Sequence, residues 1–206
     1  MSMRLTRQTL DVRTLGGIFG RCNLVPPPGT AIVAAGASAF IWQDQLNAAA
    51  TSNIAGGITY ADANVWGGRI SNQEIYTIFG WQMQVFEVDA NSLPVDSVAS
   101  VHESFLDSLS FKLFMKGQEY IIGNVKPNPT GLGCGGTGGL DMNGGRAVAP
   151  MRFPAELPVQ LSGNQTWYVE VSTARAITVS ANDNRIEVFI YCPASKGIPV
   201  GQLSGA

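Results

Sequence analysis

Charge is what this chain has least of. Lys, Arg, Asp and Glu together make up 14% of its 206 residues, whereas soluble domains average about 25%. A monomer stays soluble and apart from its neighbours largely through surface charge. A chain this poor in charge covers its surface with Gly, Ser, Thr, Asn, Gln and apolar groups, a composition that suits the charge-depleted cores of subunit interfaces. A neutral extracellular domain is the other class it fits. The formal net charge of −2 argues against a domain held to nucleic acid by phosphate contacts. One local exception exists: Arg4, Arg7, Arg13 and Arg21 face only Asp11 in the first 21 residues. Such a basic arm suits weak contact with a genome or an internal membrane, and equally an ordinary solvated terminus.

Cysteine and histidine are nearly missing. Cys22, Cys134 and Cys192 are odd in number and widely spaced, with neither a zinc spacing nor a redox CxxC pair. The N-terminus lacks the basic-then-apolar pattern of a signal peptide, so synthesis in a reducing compartment is expected and the Asn164-Gln165-Thr166 acceptor motif is read as chance. No apolar run approaches the roughly 20 residues of a membrane-spanning helix. A Ser-His-Asp or Cys-His site would need the one histidine, His102, and nothing around it resembles a nucleophile elbow. A solvated or capping role fits it better, with Glu103 beside it as a surface charge.

What the chain has in abundance is punctuation: 24 Gly and 11 Pro, with short alternating runs between them, the period-2 signature of half-buried strands. From Glu74 to Val88 the pattern predicts one face carrying Ile75, Phe79, Trp81, Met83 and Val85, with Gln82 and Gln84 on the other. Ser110 to Lys116 places Phe111, Leu113 and Met115 inward, and Lys116-Gly117 reads as a turn into Glu119-Tyr120-Ile121-Ile122. Gln165 to Ser172 alternates through Trp167, Val169 and Val171, and Ala176 to Ser180 through Ile177 and Val179. Asn182-Asp183-Asn184 is strong turn chemistry, followed by Ile186, Val188 and Ile190 on one face. Val98, Val101, Phe105 and Leu109 predict a short connecting helix, and a second is conceivable over Gln43 to Ala50. Pro26-Pro27-Pro28-Gly29 forces an extended segment and separates an arm, residues 1–28, from a single domain, residues 29–206. The expected class is all-β, a sandwich or barrel with long Gly-rich loops, and 206 residues suffice for its core.

The run Gly131-Leu132-Gly133-Cys134-Gly135-Gly136-Thr137-Gly138-Gly139 invites comparison with a phosphate loop, but no Gly-Lys-Ser/Thr leads from it into a helix. It reads as a long loop whose glycines supply positive φ and close backbone approach, and as a subunit contact. Glu156 and Glu170 flank strands and Asp62 and Asp89 sit near turns, without a paired acid site or the alternating Asp/Asn of a calcium loop. Trp42 and Trp66 could stack on sugars, although tryptophan is more often buried. No enzyme, cofactor, metal site or small-molecule substrate is expected.

The stretch from Leu113 to Val171 contains Leu-Phe-Met-Lys-Gly-Gln-Glu-Tyr-Ile-Ile-Gly, the glycine loop, Asn143-Gly144-Gly145, Met151-Arg152-Phe153-Pro154, Leu157-Pro158-Val159 and Trp167-Tyr168-Val169-Glu170-Val171. In this order it resembles jelly-roll coat proteins of small tailless icosahedral phages, including those with an internal membrane. Tyr120, Arg152, Phe153 and Pro154 are the best matching positions. The resemblance implies a single jelly roll of eight antiparallel strands in two sheets. It also implies a location in the virion after synthesis in the host cytoplasm, and assembly, as a major coat protein, with copies of itself or with a second virion protein. The alternative is a spike, decoration or lectin-like jelly roll that binds a receptor or glycan. The residues expected at subunit contacts are Arg4, Arg7 and Arg13 in the arm, Leu132, Gly133 and Cys134 in the glycine loop, and Arg152 and Phe153.

Overall fold

The computed structural model describes residues 17–43, 51–59, 61–65, 74–95, 104–105, 107–124, 132–135, 151–152, 159–162 and 165–197. They are essentially all β. The strands in chain order are β1 (Ile18–Leu24), β2 (Ile32–Val33), β3 (Ser38–Ile41), β4 (Ile75–Ile78), β5 (Gly80–Val88), β6 (Leu109–Met115) and β7 (Gln118–Asn124). There follow β8 (Leu132–Gly135), β9 (Met151–Arg152), β10 (Val159–Ser162), β11 (Trp167–Thr173), β12 (Ile177–Thr178), β13 (Arg185–Cys192) and β14 (Ala194–Gly197).

One sheet runs β3-β11-β6-β7, and another runs β1-β13-β5-β8 with β9 also on β5. A third, β10-β4-β14, continues the second past a β-bulge. Tyr191 pairs with Gln82 and Ala194 with Ile78, so Phe79, Gly80 and Trp81 lie opposite only Cys192 and Pro193. The extra residue suits a proline, which cannot donate to the ladder; Pro193 O instead accepts from Phe79 N at 2.9 Å.

The bulge corrects the inward face expected of Glu74 to Val88. Trp81, Met83 and Val85 are buried as expected, but the phase flips at Phe79, so Tyr76 and Ile78 point inward while Phe79 is 48% exposed. The other runs keep their expected phase. Leu109, Phe111, Leu113 and Met115 of β6, Trp167, Val169 and Val171 of β11, and Ile186, Val188 and Ile190 of β13 are all buried. Met115 pairs with Gln118 across a two-residue turn in which Lys116 and Gly117 both have positive φ, 54° and 76°. These are the dihedrals of a type I′ turn, whose twist matches that of the flanking strands.

The core lies between the sheets. Trp81 of one meets Phe111 of the other, and Trp42, at the end of β3, tilts against Trp167. Gly20 sits where β1 passes β3: a Cβ there would lie 2.4 Å from Ile41 Cγ2 and 2.8 Å from Trp42 Nε1, so only glycine fits.

Three expectations need correction. The proposed arm of residues 1–28 includes β1, whose Ile18, Cys22 and Leu24 are core residues paired with β13; the tri-proline begins the connection to β2 and does not detach what precedes it. The connecting helix ends earlier than expected. Residues 104, 105, 107 and 108 are helical and Phe105 is buried, but Leu109 already opens β6 because it pairs with Thr173. Val98 and Val101 lie outside the described residues, as do residues 44–50 of the second expected helix, while Gln43 is not helical. Finally, the strands are not all antiparallel, since β8 adds to β5 in parallel.

Candidate assembly surface

Three connections cross between the sheets at one end of the sandwich: residues 25–37 between β1 and β3, 89–108 between β5 and β6, and 174–184 between β11 and β13. Backbone bonds tie them together. β2 pairs with β12 and Val179 N donates to Ala31 O at 2.8 Å, while Gly36 N donates to Thr173 O at 2.7 Å and Ala174 N to Ser108 O at 2.6 Å. The Thr173 hydroxyl donates to Ala34 O at 2.7 Å.

A buried carboxylate locks the same end. Glu87 is fully buried near the end of β5. It accepts from Ser180 N at 2.5 Å, Ser180 Oγ at 2.9 Å and Asn184 Nδ2 at 2.8 Å. Buried carboxylates persist only when their lone pairs are met in this way. Arg185 donates to Ala90 O and Ser92 Oγ, and the Asp89 side chain accepts from Asn91 N and Leu93 N to shape the adjoining turn.

This rigid end is poor in charge. Val25, Ile32 and Leu93 stand out from it, with Leu93 60% exposed. Among its described exposed side chains, Asp107, Arg175 and Asp183 are charged. Exposed aliphatic groups on a sparsely charged surface are what protein contact selects for.

The free edge of β1 is closed differently. Residues 62–64 lie along it, with Arg21 N donating to Asp62 O, Asn64 N to Phe19 O, Phe19 N to Asn64 Oδ1 and Asn64 Nδ2 to Gly17 O. The Arg21 guanidinium bonds Asp62 and also Glu187 Oε2, the latter at 2.9 Å. Burial pushes the Asp62 carboxyl up, but hydrogen bonds from Thr59 N and Oγ1 and from Arg21 outweigh it and hold the group below its ordinary value. At Glu187 burial wins over the Arg21 and Arg185 charges, and the carboxyl titrates above its ordinary value. The cluster is a structural clasp, because both carboxylates are engaged with the arginine between them.

Of the residues expected at contacts, Arg4, Arg7, Arg13 and Phe153 lie outside the described residues. Leu132, Gly133 and Cys134, expected in a loop, form most of β8 on β5, and Arg152 pairs with Gly80 through β9. These two strands meet the same edge of β5, whereas the sparsely charged loop end lies elsewhere and was not singled out from the sequence. The signal for it was slight: an absence of charge from Asn23 to Gln43, around Pro26-Pro27-Pro28.

Among the described residues, no group of three His, Cys, Asp or Glu side chains able to hold a metal occurs. Cys22 and Cys192 are buried free thiols. Burial and the Glu187 charge push Cys22 far up, and burial pushes Cys192 up to about 12, so neither supplies the thiolate that nucleophilic chemistry requires. Trp42 is buried, its indole donating to Phe19 O at 3.0 Å; His102 and Trp66 lie outside the described residues. In comparison with known proteins, no protein family, curated sequence or solved structure matches this chain.

Proposed function

We propose that this chain is a structural coat protein, a single jelly roll that assembles with copies of itself into the closed shell of a virion and carries no catalytic site. The observation that carries the reading is the nesting of its antiparallel pairs. β1 pairs with β13, β3 with β11, β4–β5 with β9–β10, and β6 with β7. Rolling up one long hairpin produces this first-with-last order, the arrangement of an eight-stranded jelly roll; β8 is an addition to it. The shortage of charge and the apolar loop end supply the reason for self-association. A heterologous contact repeated about a rotation axis closes into rings and, combined with other axes, into shells.

The test is the mass of the purified chain by light scattering after size exclusion, over a concentration and salt series, with electron microscopy of the large fractions. Discrete rings or closed particles are expected. Ile32→Glu and Leu93→Glu should reduce them while the far-ultraviolet spectrum stays unchanged. A wild-type chain that remains monomeric throughout would overturn the proposal.

A further inference from the structure

The outer face of the sheet β3-β11-β6-β7, opposite the core, carries an aromatic residue on each of its first three strands. Tyr168 of β11 stacks on Phe114 of β6 with ring centroids 4.8 Å apart and an interplanar angle of 17°, and it meets Phe40 of β3 edge-on at 5.6 Å and 76°. On β7 the ladder slips between Leu113 and Phe114, so that Leu113 pairs with Ile121 and Phe114 with Glu119. Tyr120 is the extra residue, and it is 52% exposed. Beside this row Lys112 of β6 lies directly across from Glu170 of β11. Lys112 also bonds Glu119 at 3.2 Å, and Ser110 and Ser172 share a hydrogen bond of 2.9 Å.

This chemistry is wrong for a sugar. A carbohydrate platform needs a ring face free for stacking and polar groups free to meet hydroxyls. Here Tyr168 and Phe114 stack on each other, and the hydroxyls of Ser110 and Ser172 are taken up by their mutual hydrogen bond. Rigid aromatic groups of this kind instead anchor protein interfaces.

The face is also self-complementary. Consider a two-fold axis running parallel to the strands, midway between β6 and β11 and above the sheet. It carries β6 of a second copy over β11 of the first at the same height. Because Lys112 is level with Glu170, and Phe114 with Tyr168, the axis sets Lys112 over Glu170 and Phe114 over Tyr168, each twice. Sheets packed in this way lie about 10 Å apart, and such a contact is isologous.

We propose that the outer face of β3-β11-β6-β7 is the seat of a second copy of this chain, in a two-fold contact centred between Phe114 and Tyr168. It rests on the reading of the chain as a self-assembling subunit, and it adds a face distinct from the loop end. The contact predicts a dimer as the building block.

The test compares the full chain with Lys112→Glu, Glu170→Lys, the double exchange, and Tyr168→Ser, by sedimentation equilibrium, with near-ultraviolet spectra to verify folding. Each single exchange sets like charges face to face twice and should weaken the dimer by about tenfold or more, since such juxtapositions are strongly unfavourable. The double exchange should restore it, although its charge at position 112 no longer suits Glu119, and Tyr168→Ser should weaken it without restoration. Wild-type association that none of the folded variants alters would overturn this contact and leave the coat-protein reading standing. A wild-type monomer at every concentration would overturn both, as would glycan binding by a chain that does not self-associate.

Discussion

Trp81 and Phe111 meet across the two sheets with their ring centroids 4.4 Å apart and their planes inclined at 57°. Trp81 is buried just beyond the bulge and Phe111 lies in the middle of β6, so the pair reports directly on whether the sheets are closed. Replacing Trp81 by Ala should lower stability by about 3–5 kcal/mol through lost transfer energy and the cavity left behind. A double-mutant cycle with Phe111→Leu in urea unfolding should show coupling of about 0.5–1.5 kcal/mol. Strict additivity of the two changes would mean that the rings do not touch in solution.

Glu87 should be more sensitive than its distance from any surface function suggests. Glu87→Leu removes the oxygen that accepts from both Ser180 N and the Asn184 amide, as well as the one that meets the Ser180 hydroxyl. A loss of about 1–3 kcal/mol or more follows from the unmet donors, with faster hydrogen exchange in residues 180–184. Unchanged unfolding and exchange would show that the carboxylate does not hold this end of the sandwich.

Acid should separate the two carboxylates on Arg21. Asp62 titrates below its ordinary value, so its contribution is complete above the unfolded-state pKa and disappears as pH falls through the lower, folded one. Glu187 titrates above its ordinary value, so its contribution is complete below the unfolded pKa and is lost as pH rises through the folded one. Melting temperature measured between pH 3 and 7 should therefore fall for Asp62→Asn at neutral pH and converge on wild type in acid. Glu187→Gln should match or exceed wild type at neutral pH. A constant deficit for Asp62→Asn across the range would count against the clasp.

Much of the architecture was legible in local pattern. The alternation through Phe111, Leu113 and Met115, through Trp167, Val169 and Val171, and through Ile186, Val188 and Ile190 identifies both the strand and its buried face, because successive side chains in a strand point to opposite sides. Lys116-Gly117 marks a hairpin because a two-residue turn with positive φ suits glycine and fits the strand twist. The shortage of charge, which motivates the search for an interface, is a property of composition alone.

Tertiary structure decided what depends on a partner far along the chain. Phe79 is turned outward because Pro193, more than a hundred residues later, cannot donate and sits opposite a bulge. Gly133 and Cys134 read as loop until β5 offers them an edge, and Ile18–Leu24 reads as arm until β13 pairs with it. The aromatic row of Phe40, Tyr168 and Phe114 joins strands spread over more than a hundred residues. Periodicity follows from the local geometry of the backbone, whereas register and neighbour follow from which hydrogen-bonding edge the folded chain brings alongside.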